Sequence, residues 1–523
     1  MSSLINFLQK MNQYQLITYV AVNFILLVMF IYFCRKELLD VLRKIDNKTY
    51  LILFIILGIE IFIHTFVVSP KHIVYVDEFQ YMGAAKNVLM KGNFGLYPKS
   101  VGWPFLISIG FLLFGINNYV AIFLATLLGA LTFFNIFLIT FIISKDKYIA
   151  LTSSALFAFL PPKIFWSATA ENHIPALFFV TLFLFFALLY YKERKKNLLW
   201  LCLMTLSFSS QVRVENFLYG ILFIVGLYIF RKPKIKLNYS FFTPCFVAIS
   251  LCIVNLVGVL RFQLGTNWLE SESGGTIKGS SVGLTNLAYN SLHWAPKLLD
   301  ASLHPLTLSF FIILGVLYLL RVKRKYAIFL LFWFLLLFVI YFSMWFQVYG
   351  TSFLLLPKTR LFIFFYPVLA IFGAYGIWMF SLIFKKGVFR MMSVVFVIVV
   401  LLRFIPYYDD YPVRKASFEL ETELVGNIKK YVPSGCTIIT QFPSIVNSVN
   451  SYKVVKTELF LNDKNIQNNV FASSSCILFW EDIGCLMYAK ETIKEIKERF
   501  IVKPFCAFRR GNIVSSFYTV EKK

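Results

Sequence analysis

The sequence predicts an α-helical polytopic membrane protein with about twelve transmembrane helices, a surface helix in its first external loop and a small α/β domain at its C-terminal end. Three observations carry that prediction. Of 523 residues 59% are hydrophobic and 15% charged, with a mean hydropathy of +0.73, whereas about 25% of an average soluble domain is charged. Apolar runs recur at close to the ~20-residue length that a bilayer crossing requires. After residue 405 the pattern changes to short apolar strands alternating with amphipathic helices.

Spans are expected near 14–34, 50–69, 119–144, 148–162, 173–191, 197–209, 215–230, 240–262, 303–320, 326–346, 361–384 and 388–404. The first, YQLITYVAVNFILLVMFIYFC, is too long for a signal-peptide core and lacks a small-residue cleavage site, so it reads as a retained span. The segment 102–115, GWPFLISIGFLLFG, is bracketed by Gly and Pro and is shorter than a crossing. It reads as an interfacial or re-entrant helix.

Charge fixes the expected orientation. The loops 35–49, 145–147, 192–196, 231–236, 321–325 and 385–390 are all basic. They fall on one side of the membrane only if 102–115 does not cross, and the positive-inside bias then makes that side cytoplasmic. Both termini, the loops 70–118, 163–172, 263–302 and 347–360, and the tail 405–523 are then external, so the function is expected outside the cell membrane. The net charge of +25 is accounted for by these basic loops and the anionic lipid headgroups they favour, with no need for nucleic acid. Three regions result: an extra span and cytoplasmic loop (1–49), a membrane domain (50–404) and the external α/β domain (405–523).

In the tail, PSGCTIIT, YKVV and SCILFWE read as strands, and ASFELETELVGNIKKYV and KETIKEIKERF as helices. Cys34, Cys202, Cys245 and Cys252 lie in or beside apolar runs and read as small core residues. Cys436, Cys476, Cys485 and Cys506 lie in the tail, where an external location permits up to two bridges in three connectivities. Cys476 with Cys485 is one pairing to consider, and four free thiols is the other reading. The absence of any CxxC spacing argues against zinc.

Asp77 and Glu78 stand side by side just after an apolar run and open an amphipathic stretch. Tyr81, Ala84, Ala85, Val88 and Leu89 form its apolar face, opposite Gln80, Lys86, Asn87 and Lys91. Either the pair caps a helix or it does chemistry at the membrane surface. Other external edges carry Lys99, Glu171, the Arg213–Glu215 pair in SSQVRVENFLYG, and Lys358 and Arg360 in LLLPKTRLFIFFYP. Each cation alone reads as a snorkelling anchor. Acids and bases converging on one external face read instead as a site that activates a hydroxyl and holds a phosphate.

A span, then DE with Tyr three residues beyond the Glu, then a surface helix, then GWPFLI…LLFG resembles the polyprenyl-phosphate-sugar glycosyltransferases of the GT-C fold. That group includes protein O-mannosyltransferases and the aminoarabinose transferase of lipid A. The resemblance runs from about residue 50 to 384, with Glu171, RVEN and TRLFIFFYP following in order. The chain departs from the lipid A enzymes at Gln80, where they carry Arg, and at Glu171, where the acid is often Asp.

The resemblance implies an inverting transfer from a polyprenyl-phosphate-linked sugar donor to a lipid, glycan or protein acceptor on the outer face. Asp77 would be the base, and Glu78 and Glu171 would orient the acceptor or bind a divalent cation. Tyr81, Lys99, Arg213, Glu215, Lys358 and Arg360 would line the substrate site, with the lysines and Arg360 on the phosphate. The alternative is a transporter or flippase of lipid-linked or anionic substrates, for which Glu60 and His64 on one face of a span are the best sign.

Overall fold

A computed structural model describes residues 13–68, 76–94, 99–230, 239–265, 287–288, 291–292, 305–343, 362–383, 388–402, 423–424, 427–428, 430–440, 452–481, 490–510 and 513–523. The membrane part consists of helices α1 (Gln13–Phe33), α2 (Arg35–Leu42), α3 (Asn47–Phe62), α4 (Val76–Lys91), α5 (Gly102–Phe114), α6 (Asn118–Ser144), α7 (Lys147–Ala158) and α8 (Pro161–Ser167). It continues with α9 (His173–Glu193), α10 (Lys196–Val212), α11 (Tyr219–Ile229), α12 (Tyr239–Gly265), α13 (Leu306–Val322), α14 (Arg324–Ser343), α15 (Tyr366–Ser381) and α16 (Val388–Leu402). Each of the twelve expected spans carries a helix. Among the described residues four segments are long and apolar enough to cross a bilayer alone: Leu16–Phe33, Asn118–Ser144, His173–Glu193 and Arg324–Phe342.

Short polar residues start these helices. Asp46 accepts from the Thr49 amide, Asn117 from that of Tyr119, and Asp146 from those of Tyr148 and Ile149. Two details depart from expectation. The basic loop 35–49 contains the helix α2. The stretch 148–162 is not one straight span: α7 and α8 meet at 63°. Leu160 precedes Pro161 and is extended (φ −62°, ψ 129°), because a residue before proline is barred from helical backbone. As a result Pro161–Ser167 is a buried helix that takes in the start of the expected external loop 163–172, and Lys163 is fully buried within it.

Five of the six basic loops meet at one end of the bundle. Lys147 pairs with Asp46, Lys195 lies 2.9 Å from Glu37, and Arg390 donates to the Tyr148 hydroxyl at 2.8 Å. Lys323 donates to the carbonyls of Ile143 and Ser144 at 2.6 and 2.8 Å. α3 leaves this end and α6 returns to it, so α4 and α5 together make no net crossing. α5 has 13 residues, a rise of about 20 Å, short of the ~30 Å hydrocarbon core. α1 is joined to α10 by Asn23, fully buried, whose amide donates to Ser207 and Gln211 at 3.0 Å each.

α13 and α15 touch backbone to backbone. A Cβ built on Gly315 would run into the Phe372 carbonyl, and one on Gly376 into that of Phe311. Small residues of this kind let membrane helices approach closely.

The tail forms a five-stranded sheet from β1 (Cys436–Thr440), β2 (Lys453–Lys456), β3 (Cys476–Glu481), β4 (Phe500–Arg510) and β5 (Ile513–Lys522), in the order β2-β1-β3-β5-β4. β1 is parallel to β2 and β3, and the β4–β5 hairpin is antiparallel. The helices α17 (Thr457–Asn462), α18 (Lys464–Ser473) and α19 (Lys490–Arg499) complete it. Ile439, Phe479 and Val520 pack with Phe460, Val470 and Ile496 on one face, while Ile438, Leu478, Trp480 and Phe517 belong to the other. Three strands and the helix at 490–499 match the sequence reading. The long hairpin does not, because Pro504 and the polar ends of both strands mask its alternation. Cys436 and Cys476 are register partners on β1 and β3 and form a disulfide, with Cα atoms 4.5 Å apart. Cys506 is free, and Cys485 lies outside the described residues.

Two outcomes are expected. Gly376→Ala, which drives a methyl into a carbonyl, lowers stability by about 1–3 kcal/mol, read as a reduced unfolding midpoint in detergent. An unchanged midpoint would mean that the two helices do not touch there. Alkylation of the unreduced, denatured protein leaves Cys436 and Cys476 unlabelled and Cys506 labelled; modification of all three would disprove the bridge.

Candidate active site

The end of the bundle away from the basic loops gathers the acids. α4 opens with Asp77 and Glu78 in its first turn, where the helix dipole favours negative charge. Its buried stripe is Phe79, Tyr81, Met82, Ala84 and Ala85, whereas Leu89, expected on that face, is exposed. The two carboxylates part company. Asp77 stays partly accessible, at 31% of its side chain, and lies 2.7 Å from the Lys99 ammonium. Lys99 also sits 5.5 Å from the centre of the Tyr81 ring. Glu78 is fully buried and accepts the Ala170 amide at 2.7 Å.

Ala170 is the knot of the site. Its carbonyl accepts from the Trp103 indole at 2.7 Å, so the GWP turn at the start of α5 holds the loop that Glu78 holds from the other side. Gly102, beside Trp103, lies against the end of α10. A Cβ there would stand 2.7 Å from the Gln211 carbonyl carbon and 2.8 Å from the Val212 nitrogen. Asn172 adds a hydrogen bond to the Val212 carbonyl at 3.3 Å. The chain therefore leaves α10 at a set point, and the next residue is Arg213.

Arg213 links the remaining groups. It donates to Glu215 at 3.1 Å, contacts Nδ1 of His173 at 2.5 Å and lies 5.5 Å from the centre of the Phe364 ring. The RVEN and TRLFIFFYP segments, far apart in sequence, thus meet. Burial opposes the arginine's charge; Glu215, then Tyr341, Tyr81 and Glu171, more than offset it, and the net shift is upward. Because Arg213 donates to Nδ1, a neutral His173 carries its proton on Nε2, which lies 3.7 Å from the Glu171 carboxylate. Trp166 packs edge-on against the same ring at 5.5 Å.

The structure therefore brings together Asp77, Glu78, Tyr81, Lys99, Glu171, Arg213 and Glu215. Lys358 and Arg360 lie outside the described residues. His173, Trp103 and the Ala170 peptide were not read from the sequence. His173 had a faint signal in its position two residues from Glu171, whereas a backbone peptide has none. The acids do not form a cation cage: their neighbours are an ammonium, an amide and an imidazole. Among the described residues no three His, Cys, Asp or Glu groups stand close enough to share an ion.

Glu78→Ala strands the Ala170 amide in a buried position and is expected to cost about 1–3 kcal/mol, whereas Glu78→Gln keeps an acceptor and most of the stability. Equal unfolding midpoints for the two variants would show that the Glu78–Ala170 bond does not hold this loop.

No protein-family model matches the sequence, and no curated protein matches it. Solved structures do resemble it. ArnT from Cupriavidus metallidurans in the apo state superposes with a TM-score of 0.59 at 9% identity, covering 89% of this chain and 97% of that one. The same protein bound to undecaprenyl phosphate gives a TM-score of 0.56 at 11% identity, covering 91% and 98%. The apo oligosaccharyltransferase of Archaeoglobus fulgidus gives 0.55 at 12% identity, covering 91% of this chain and 74% of that one. The fold of this polytopic membrane protein is the GT-C fold.

Proposed function

We propose that this chain is an inverting membrane glycosyltransferase that moves a sugar from a polyprenyl phosphate to an acceptor, with Asp77 as the general base. The observation that carries the reading is the Asp77–Lys99 pair at the accessible start of α4, beside Tyr81, a ring that in turn lies within the electrostatic reach of Arg213. The fold supports it: ArnT from Cupriavidus metallidurans, which has this fold, is recorded with undecaprenyl phosphate bound.

Asp77 is the more accessible of the two adjacent acids, so it takes the proton from the acceptor hydroxyl. The freed oxygen forms its bond to the anomeric carbon as the bond from that carbon to the phosphate oxygen breaks. The electron pair leaves on the lipid phosphate, and attack opposite the leaving group inverts the centre. Phosphate is a good leaving group and needs positive charge more than a proton donor. Lys99 supplies it in this reading, with Lys358 and Arg360 completing the cationic set. Arriving phosphate competes with Asp77 for Lys99, and that competition frees the base as the donor seats. Glu78, buried on the Ala170 amide, serves to hold the loop, and Glu171 with His173 orients the acceptor.

Two arguments support a site on the outer face. The basic loops gathered at the opposite end belong in the cytoplasm, and the Cys436–Cys476 bridge in the tail suits an oxidising compartment. The acceptor is a lipid, glycan or protein hydroxyl or amide.

Purified protein incubated with labelled polyprenyl-phosphate sugars and an envelope extract should transfer label, and Asp77→Asn should slow transfer by about 10²–10⁴-fold with an unchanged unfolding midpoint. Normal turnover with Asn at 77 would remove Asp77 from the role of base. Lys99→Met should raise the donor KM; an unaltered KM would remove Lys99 from the phosphate.

A further inference from the structure

Glu60, on the last turn of α3, and Lys163, on α8, form an ion pair with essentially no solvent exposure. His64, on the π-turn Ile63–Val67 that continues α3, points Nε2 at the same Glu60 oxygen from 3.6 Å. These charges take no part in the site described above. A lone charge at this depth costs several kcal/mol, and even a matched pair is often no more stable than apolar side chains of equal volume. Stability alone does not account for them.

Their place in the chain does. α3 runs on toward Asp77 and Glu78, and α8 runs directly into Ala170, Glu171 and His173. The far end of α8 is clamped to α6: Thr126 donates to the Ser167 carbonyl at 2.8 Å, and Gly129 leaves room for the Ser167 side chain. The two acid-bearing segments are thus joined twice, by Glu78 to the Ala170 amide at the site and by Glu60 to Lys163 below it. Apolar helices can slide or rotate with little change in burial. A buried carboxylate and ammonium meet in one setting only.

We propose that Glu60 and Lys163 are positioning residues that set α8 against the end of α3, and so set the separation of Asp77 from Glu171. In its catalytic consequence the proposal rests on the glycosyltransferase reading, but its structural claim does not.

Hydrogen exchange on the full-length protein in detergent tests it without substrate. Glu60→Leu/Lys163→Met replaces the pair with apolar groups and should keep the wild-type unfolding midpoint, while exchange in 76–79 and 169–172 rises by about tenfold or more. α9 and α14 should exchange as in wild type. Glu60→Asp keeps a carboxylate for the buried Lys163 ammonium and should stay within about twofold of wild type at the same residues. In transfer assays the double variant should lose kcat with an unchanged donor KM. Wild-type exchange at both segments in the double variant, or a rise spread evenly through the bundle, would overturn the proposal. Absence of transfer by the wild type would sink the glycosyltransferase reading alone, since the exchange result stands apart from it.

Discussion

The Ala170 peptide is the constraint from which the site follows. At a membrane edge a buried amide or carbonyl has little water to bond, so each must find a partner in the protein. Glu78 takes its N–H and Trp103 its C=O. Those two bonds fasten the loop before α9 to the start of α4 and the start of α5. Gly102, next to Trp103, fastens α5 in turn to the end of α10. Asp77, Glu171 and Arg213 are each one residue from a member of this knot or from the helix end it grips. Their mutual placement is therefore a property of backbone hydrogen bonding, with the charged side chains as its passengers.

The same rule explains the division of labour between two adjacent carboxylates. Neighbours on a helix point about 100° apart, so Asp77 and Glu78 cannot both face the core. The one turned inward binds an amide, and the one turned outward meets Lys99. Adjacent acids that look redundant in sequence thus differ in setting, one buried on an amide and one accessible beside an ammonium.

Charge organises the whole bundle on a larger scale. The cations of the loops are spent at one end on neighbouring loops and on helix C-termini, as with Lys323 on the last carbonyls of α6. Those at the other end, Lys99 and Arg213, sit among carboxylates and aromatic faces. The fold persists at 9–12% identity because it needs helices of the right length and hydrophobicity, which many sequences supply. The site asks for particular side chains at particular backbone points.

The sequence by itself determined the helical membrane architecture and three strands and a helix of the tail, and it pointed to most of the acids and cations that the structure gathers at one end of the bundle. These are local properties: run length, charge in loops, and the period of apolar residues. It did not reveal the bend at Leu160, the burial of Lys163, the Cys436–Cys476 bridge or the place of His173 between Arg213 and Glu171. Lys163 reads as an ordinary loop lysine until α3 brings Glu60 to it, and Cys436 finds Cys476 only once β1 and β3 lie in register. Such facts are decided by tertiary contact, because a pairing between distant residues depends on packing angles and register that composition and period do not encode.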